Sequence, residues 1–489
     1  MVDASGVAMR IEVCLPIGVR RRQLSVHSLL LGMLLVQADG RPAHLSRVHA
    51  ALCSLPEDDR LRLGVAVTWR SGRHELTYRQ VEYTMSLVCS ALSRQVPDGT
   101  PSQLLQQVVD ALVEASIPQQ WKSASGSYAV DWSDLETFSL PPSTKGGRCA
   151  DMEASWGHRR GKGPGQKDEL FFGYYFQLAT MVNEESGAAL PELVRRLLVT
   201  SCLIDPPPAF VGVLAAMVAE GAVLRDVLAD SGYSHRRAEH WALPLRAMGA
   251  SLVQDLHPSD RGTQGTHAGA VLFNGNLYCP ATPKALFEIE PLSRQASEHE
   301  VVRHDETAAE LARYKLGRVS RDDSDGYHRV ACPAVLGKLR CPLRERSMAL
   351  SYTRPAVFAP PEHPPACCRQ QTVTVPAEVN AKTRQKHDYP SPAHRKSYAR
   401  RTAVERSNST AKDRATTDVS RGWCRLMGLT AVSVFLACLF VVRNERVLDA
   451  FAARQEEDER RRLLGLPPRT RRRRRRTIDN LVATAHSPP

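Results

Sequence analysis

Apolar residues recur at intervals of three and four along the first 120 residues, a spacing that is typical of helices with one buried face. Asp39-Gly40 and Pro56 interrupt this spacing with residues that favour turns. The helices that the pattern predicts cover residues 24–36, 44–55 and 81–92. We therefore predict a helical N-terminal domain over residues 1–120.

From residue 121 to residue 250 the pattern changes to strand-like runs that alternate with helical spacing. The strand-like runs are residues 128–130, 171–176 and 227–229, and helical spacing covers residues 190–203 and 209–220. The run at residues 171–176 is aromatic and continuous, which favours a buried strand over a surface helix. Alternating strands and helices predict the first part of an α/β core.

Residues 251–388 differ from their surroundings, because they combine short strand candidates with many prolines and five of the 12 cysteines. The strand candidates are residues 252–254, 270–273 and 372–375. We predict a β-rich insertion here. Helical character returns at Ser391-Pro392, a helix N-cap followed by proline at the first helical position, so the second part of the core is predicted over residues 389–450.

The positive charge of the chain is concentrated near its C-terminus. The 489 residues are 43% hydrophobic and 24% charged, which is typical of a globular protein and excludes wholesale disorder. The formal net charge is +13, and residues 391–489 hold 22 Lys and Arg against 10 Asp and Glu. Residues 451–489 include six consecutive arginines, 471–476, and are predicted to be a basic, disordered tail. Such a charge distribution favours a polyanion as partner.

Two apolar segments are candidates for a targeting or a membrane-spanning segment. Arg20 to Arg22 precede apolar residues 29–35, but 19 residues lie ahead of them and no small-residue cleavage site follows, so we expect an intracellular protein. Residues 426–442 carry no charge over 17 positions. This length is the lower limit for a membrane span, and Gly428, Thr430 and Ser433 interrupt the segment, so a buried helix is favoured.

The predicted helix over residues 391–412 places four functional side chains on one face. Tyr398, Arg401, Glu405 and Lys412 stand at offsets of 0, 3, 7 and 14 residues. At 3.6 residues per turn these positions fall within an arc of about 60°. A carboxylate that shares a face with two cations and a phenol suits a site that binds a metal ion and phosphate oxygens. A salt-bridged surface stripe is the alternative.

Two aspartates upstream add carboxylates to this set. Asp131 and Asp230 each follow a short apolar run, and strand ends are where α/β sheets place their sites. Two aspartates and a glutamate are suitable ligands for two hard divalent cations. Asp134 and Asp151 are alternatives to Asp131 as the first ligand.

These motifs resemble those of a known family. The spacing Tyr398-x2-Arg401-x3-Glu405-x6-Lys412 resembles the YREK signature of a group of DDE transposases from bacterial insertion sequences. The segment Ala229-Asp230-Ser231-Gly232-Tyr233 is similar to that family's second-aspartate segment, and Asp131-Trp132-Ser133 resembles its first, usually Asp-Gly-Thr. Residues 171–176 resemble the strand that follows. The resemblance extends from about residue 125 to residue 445, with the insertion between the second Asp and the Glu.

The resemblance implies an RNase H-like catalytic core. It implies that Asp131, Asp230 and Glu405 bind two magnesium or manganese ions, and that the signature residues Tyr398, Arg401 and Lys412 contact DNA near the transposon end. The implied reaction is hydrolysis at the end of the element, followed by attack of the freed 3′-hydroxyl on target DNA by a homodimer on paired ends. We accordingly expect double-stranded DNA as partner, no membrane, and a cytoplasmic, nucleoid-associated protein. The N-terminal helices would bind DNA ends or serve in packing and dimerisation.

Departures from the family pattern keep other functions open. Trp132 replaces the usual glycine, and Ser407-Asn408 stand where an apolar anchor is expected. The alternative function is therefore a catalytically inactive, transposase-derived DNA-binding protein. A single-span membrane protein is a third hypothesis, and it leaves the signature residues unexplained.

Two further motifs are weaker candidates for ligand binding. Structural zinc was considered for Cys279, Cys332, Cys341, Cys367 and Cys368, with His328 and His363 nearby. The absence of a Cys-x-x-Cys pair favours reduced, buried thiols over a zinc site. The segment Gly161-Lys162-Gly163-Pro164-Gly165 lacks the residue order of a phosphate-binding loop and is predicted to be a basic loop.

Overall fold

The computed structural model describes the chain except residues 17–21, 70–71, 94–98, 145–146, 160–166, 294, 414–418, 420–421 and 470–489. By their contacts, residues 1–444 form one unit and residues 445–489 a second. The predictions for Arg20 and Arg21, for the loop at residues 161–165 and for the arginine run at residues 471–476 lie outside the described residues.

Helices dominate the first 122 residues, as the hydrophobic spacing predicts. The elements are α1 (Val2–Ser5), α2 (Val7–Cys14), α3 (Val26–Ala38), α4 (Leu45–Cys53), α5 (Glu57–Arg62), β1 (Ala66–Trp69), β2 (Gly72–Glu75), α6 (Tyr78–Leu92), α7 (Gln103–Glu114) and α8 (Gln119–Lys122). The three predicted helices are confirmed as α3, α4 and α6. Ser25 and Ser102 cap α3 and α7 by accepting hydrogen bonds from backbone N–H groups. The hairpin of β1 and β2 was not predicted.

A six-stranded mixed sheet follows, with helices in its connections. Its elements are β3 (Tyr128–Glu136), β4 (Ser155–Arg159), β5 (Glu169–Met181), β6 (Val194–Ser201), α9 (Pro206–Ala219), β7 (Asp226–Ala229), α10 (Ser231–Ser234), the 3₁₀ turn η1 (Ala238–His240), α11 (Ala242–Ala247) and β8 (Ser251–Gln254). Strand β5 pairs antiparallel with β3 along one edge and with β6 and β4 along the other. Strand β7 runs parallel to β3, and β8 runs parallel to β7. The mixed α/β class is thus confirmed.

The prediction of a helix at residues 190–203 is wrong, because residues 194–201 form β6. All eight residues of this strand are buried, so its apolar residues do not alternate with exposed ones and imitate helical spacing. The strand includes Arg195 and Arg196, and both donate hydrogen bonds to the Glu114 carboxylate of α7. The sequence pattern alone could not reveal these ion pairs with a distant helix.

The predicted strand at residues 252–254 is present, but it belongs to the main sheet. Leu252 lies opposite Val227 of β7 in a parallel pair. The insertion therefore begins after Gln254 rather than at residue 251. Its end returns to the same strand: the backbone N–H of Lys386 donates to the Leu252 carbonyl at 2.9 Å, and the Gln254 N–H donates to the Gln385 side chain at 2.7 Å.

The insertion contains two small antiparallel sheets and a 17-residue helix. Its elements are η2 (Pro258–Asp260), β9 (Thr263–His267), β10 (Ala270–Phe273), β11 (Asn276–Tyr278), η3 (Lys284–Glu288), α12 (Glu298–Tyr314), β12 (Gly317–Arg318), β13 (His328–Ala331), α13 (Glu345–Met348), α14 (Ala366–Arg369) and β14 (Thr372–Val375). The β10–β11 hairpin turns at Asn274-Gly275, where both φ angles are positive, as a two-residue type I′ turn requires.

The helix predicted over residues 391–412 is confirmed, with a 3₁₀ turn in its middle. It consists of α15 (Pro392–Tyr398), η4 (Ala399–Arg401) and α16 (Thr402–Ala411), and it is followed by α17 (Leu429–Leu463). The Ser391 hydroxyl accepts from the His394 N–H at 3.1 Å, which is the expected N-cap. Within the described part of the chain, no helix combines the length and apolar character that crossing a membrane requires.

The first part of α17 is buried in a single hydrophobic core that joins the N-terminal helices to the sheet. The centroid of its Phe440 ring lies 6.2 Å from the centroid of the Phe176 ring on β5. The Asn444 side chain accepts from the Val194 N–H and donates to the Val194 carbonyl, at 2.8 and 2.7 Å. The predicted buried helix at residues 426–442 is therefore confirmed from Leu429 onward.

We expect Phe440→Ala to lower the free energy of unfolding by about 3–5 kcal/mol, because it removes a fully buried ring from this shared core. Chemical denaturation of the full chain measures the effect. Phe358→Ala is the matched control, since that ring is 94% exposed and its removal should change stability by less than about 0.5 kcal/mol. Equal effects of the two substitutions would contradict the packing described for α17.

Candidate active site

Asp131 and Asp230 lie at corresponding positions of two neighbouring parallel strands. Ala129 of β3 pairs with Leu228 of β7, and each aspartate stands two residues further along its strand. Because β7 ends at Ala229, the second aspartate begins the following turn as the N-cap of α10, where its Oδ1 accepts from the Gly232 N–H at 2.9 Å. The parallel register therefore brings the two carboxylates side by side, although Asp131 lies inside β3 and not at a strand end as the sequence predicted.

Helix α16 brings Glu405 close to the two aspartates. The helix packs on β3 and β5, where the hydroxyls of Ser407 and Thr180 are 3.1 Å apart. At the next residue, the Asn408 amide donates to Asp131 Oδ2 at 3.1 Å. Two polar contacts thus fix the rotation of α16, so that Glu405 faces the aspartates.

Arg401 links the helix to the carboxylates. Its Nη2 donates to Glu405 Oε1 at 2.5 Å, and its Nη1 lies 3.8 Å from Asp131 Oδ2. The guanidinium also lies over the Tyr398 ring, 5.6 Å from its centroid. Arg401 is buried; burial alone lowers its pKa, but the neighbouring Tyr398, Asp131 and Asp230 raise it, and the net pKa is above its usual value. Arg401 is therefore a permanent cation inside the carboxylate cluster.

The charge of this cluster is not balanced by Arg401 alone. Burial raises the pKa of Asp131 to about 7, and the Asp230 and Glu405 carboxylates add to the increase, while Arg401 and the Asn408 hydrogen bond oppose it. Three carboxylates thus repel one another in a poorly solvated site. Further positive charge would stabilise the ionised cluster.

Lys412, the last residue of the signature, contacts a different carboxylate. Its Nζ donates to Asp134 Oδ1 at 2.8 Å, and the Arg159 guanidinium donates to the other oxygen of Asp134. Burial raises the pKa of Asp134, but these two cations outweigh it and hold the pKa below its ordinary value. The structure therefore brings Tyr398, Arg401 and Glu405 together. Lys412 instead pairs with Asp134.

The three aspartates considered for the first position have different surroundings. Asp131 interacts with Asp230 and Glu405, whereas Asp134 is neutralised by two cations. Asp151 is buried elsewhere, and its two oxygens accept hydrogen bonds from the hydroxyls of Thr137 and Tyr174, each at 2.6 Å. Only Asp131, of these three, contributes to the cluster.

Trp132, the departure noted in the sequence, packs beside the second aspartate. The centroid of its ring lies 4.7 Å from the centroid of the Tyr233 ring. A Cβ added to Gly232 would stand only 2.3 Å from Trp132 Cη2. The large residue at 132 therefore requires glycine at 232. The sequence contained both residues, but only the register of β3 and β7 shows that they are in contact.

Asn408 is a site residue that the sequence analysis treated only as a departure from the family pattern. It stands three residues after Glu405, so both side chains project from one side of α16. Its hydrogen bond to Asp131 is a reason for a polar residue at that position. The sequence signal for its place in the site was its spacing, since Asn408 stands seven residues after Arg401 and three residues after Glu405.

The donor set suits hard divalent cations, since it consists of carboxylate oxygens in a site with excess negative charge. The oxygens of Asp131, Asp230 and Glu405 do not all lie within 4.8 Å of one another. They therefore do not converge on a single ion.

The cysteines of the insertion were considered as zinc ligands. All five are buried and none forms a disulfide. Cys279, Cys332, Cys341 and Cys368 line a cavity of about 10 Å³. Within the described residues, no three of these sulfurs lie within 4.8 Å of one another. His363 is exposed, and His328 Nδ1 lies 3.3 Å from the Arg384 guanidinium.

The chain was compared with models of protein families, with curated proteins and with solved structures, and none of them matches. The functional argument therefore depends on the geometry of the site. Its chemistry is that of a buried carboxylate cluster with one internal cation and a lysine at its border.

We expect Gly232→Ala to lower the free energy of unfolding by about 1–3 kcal/mol, because the new methyl group would overlap the Trp132 ring. Most of this cost should disappear in a Trp132→Ala background, and a double-mutant cycle by chemical denaturation measures the coupling. Gly212→Ala is the control, since that added methyl would contact nothing within 4 Å. A cost of Gly232→Ala that is independent of residue 132 would exclude the proposed contact.

Proposed function

We propose that the protein is a DNA transposase that cleaves DNA at transposon ends and transfers the freed strand into target DNA, using divalent metal ions. The observation that carries this proposal is the grouping of Asp131, Asp230 and Glu405 around Arg401. These residues come from two strands and a helix more than 170 residues further along the chain. They are also the residues for which the family resemblance implies metal binding.

The topology supports an RNase H-like core for this function. Read across the sheet, the strands follow the order β6, β5, β3, β7 and β8, with β4 as an addition beside β6. The first three are antiparallel and the last two are parallel to β3. We take this order and these directions as support for the RNase H-like core that the family resemblance implies, with Asp131 and Asp230 at neighbouring positions of β3 and the end of β7.

The roles of the side chains follow from their contacts. Asp131, Asp230 and Glu405 would hold two magnesium or manganese ions. The chemistry supplied by two bound ions is activation of a water or 3′-hydroxyl and stabilisation of the leaving oxygen. Arg401 opposes the rise in the pKa of Asp131 and orients Glu405 through their hydrogen bond. Tyr398 and Lys412 border the cluster and would contact DNA, with Lys412 exchanging its Asp134 partner for a phosphate.

The proposed reaction consists of two phosphoryl transfers. In the first, a water oxygen bonds to phosphorus at the end of the element, the bond to the 3′-oxygen breaks, and that oxygen leaves as a hydroxyl. In the second, this hydroxyl loses its proton as it attacks a phosphodiester of the target, and a new 3′-hydroxyl is released. We propose that a homodimer performs both steps on paired ends, in the nucleoid, and that the basic C-terminal residues add affinity for DNA without sequence preference.

The second candidate is a DNA-binding protein that is derived from a transposase and no longer cleaves. Two contacts favour it, because they occupy carboxylate oxygens that metal ions would need. Arg401 holds Glu405 Oε1, and Asn408 holds Asp131 Oδ2. A cleavage assay separates the two candidates.

We expect Asp131→Asn, Asp230→Asn and Glu405→Gln each to reduce DNA cleavage by about a thousandfold or more, because each removes a charge from the centre of the site. Binding of the same DNA should stay nearly unchanged, since the cations remain. The assay uses labelled DNA that carries the sequences flanking the gene, with magnesium or manganese, and it measures cleavage and binding separately.

Asp134→Asn is the matched control, because Asp134 lies on the same strand but outside the cluster. It should leave cleavage detectable, whereas Asp131→Asn should not. Equal loss in both variants would mean that the first metal ligand is misassigned. Binding without cleavage by the unsubstituted protein, with both metal ions, would favour the inactive DNA-binding protein.

A further inference from the structure

Two histidines and an aspartate meet beyond the ends of β7 and β8, outside the carboxylate cluster. His235 follows α10, His257 follows β8, and Asp260 ends the turn η2. The rings of the two histidines are 4.1 Å apart between centroids. One ligand atom from each of the three residues lies within 4.8 Å of the other two, and within the described residues this is the one group of three or more that does so.

The carboxylate of this group has an oxygen that no hydrogen bond uses. The Lys382 ammonium lies 2.8 Å from both oxygens of Asp260, but it donates a well-oriented hydrogen bond to Oδ1 only. Asp260 Oδ2 is buried and accepts no hydrogen bond within the described structure. Lys382 therefore holds the carboxylate in place, and a metal ion at Oδ2 would replace the ion pair of that oxygen with the ammonium.

Contacts with Ser259 orient the side chain of the second histidine, His257. His257 Nδ1 lies 2.7 Å from the Ser259 hydroxyl and accepts from the Ser259 backbone N–H at 3.3 Å. A metal ion at Nε2 would require the ring proton to move to Nδ1, where the Ser259 hydroxyl can accept it. Contacts of this kind orient the histidines of metal sites and fix their tautomer. His235 is exposed, so a cation can reach the group from solvent.

Two of the neighbouring cations are paired with carboxylates outside the group, whereas Lys382 is paired with Asp260 itself. Arg236 pairs with Asp205 at 2.8 Å, and Arg261 pairs with Asp255 at 3.2 Å. Each of these guanidinium groups therefore has a carboxylate of its own.

We propose that His235, His257 and Asp260 bind one transition-metal ion of the zinc class, with solvent completing the coordination. Imidazole nitrogen is a ligand for zinc, cobalt, nickel and copper and is poorly suited to magnesium, so this site differs in metal preference from the carboxylate cluster. Two histidines and one carboxylate leave a position for water, as in zinc sites with three protein ligands.

The bound ion would connect two segments that the function needs in fixed positions. His235 stands five residues after Asp230, and His257 and Asp260 lie at the entrance to the insertion. A metal ion between them would fix the turn that carries Asp230 against the first residues of the insertion. The metal site stands on its own geometry and does not depend on the proposed DNA chemistry.

Cobalt binding to the metal-stripped full chain tests the proposal. Cobalt(II) reports its ligands: histidine and carboxylate give weak visible bands, whereas thiolates add intense near-ultraviolet absorbance. With magnesium in excess to occupy the carboxylate cluster, the visible titration should saturate at one ion, and zinc should displace it. His235→Ala should weaken this binding by about tenfold or more. His240→Ala is the matched control, because His240 is also exposed and lies outside the group, and it should bind as the unsubstituted chain does.

His235→Ala removes an exposed side chain, so the variant is expected to fold, and circular dichroism checks this. Asp260→Asn is the second variant and should also weaken binding. Equal cobalt affinity and spectra for the unsubstituted chain and His235→Ala would overturn the proposal, as would a spectrum of thiolate ligation alone, which would place the metal at the cysteines. Cleavage activity is not a readout here, so failure of the transposase proposal would leave the result unaffected.

Discussion

Mutual repulsion among three partly buried carboxylates is the constraint on which the site depends. Asp131 is largely shielded from solvent beside Asp230 and Glu405, and a carboxylate in such a place remains charged only when cations lie close to it. Arg401 supplies one cation, and the Asn408 amide supplies a donor. The rest of the site is arranged around these contacts, since the helix that carries Glu405 also carries Arg401 and Asn408.

The scaffold makes this arrangement rigid by two means. The parallel register of β3 and β7 sets the two aspartates side by side, and the long pairing of β3 with β5 fixes the strand that bears the first. Helix α17 then joins the N-terminal helices and the sheet in one hydrophobic core. The carboxylates therefore stand on elements that are packed from both sides, which keeps their separation constant.

The sequence predicted the parts of the fold and site that depend on local spacing. The stripe of Tyr398, Arg401 and Glu405 and the buried helix were predictable because 3.6-residue periodicity determines a helix face. Strand β6 was mistaken for a helix because buried strands have no alternation, and its arginines are satisfied by a distant helix. The contact of Trp132 with Gly232 and the pairing of Lys412 with Asp134 depend on tertiary register, which no local pattern contains.

The return of the insertion to β8 has a consequence for how such a chain can change. The segment leaves the sheet after Gln254 and comes back at Gln385 and Lys386, which hydrogen-bond to the strand it left. Because the two ends of the insertion are adjacent, the intervening 130 residues leave the sheet and rejoin it at the same strand. Its length can change without altering the strand register that aligns the aspartates. The sheet and the insertion are thus separable in evolution, although they are continuous in sequence.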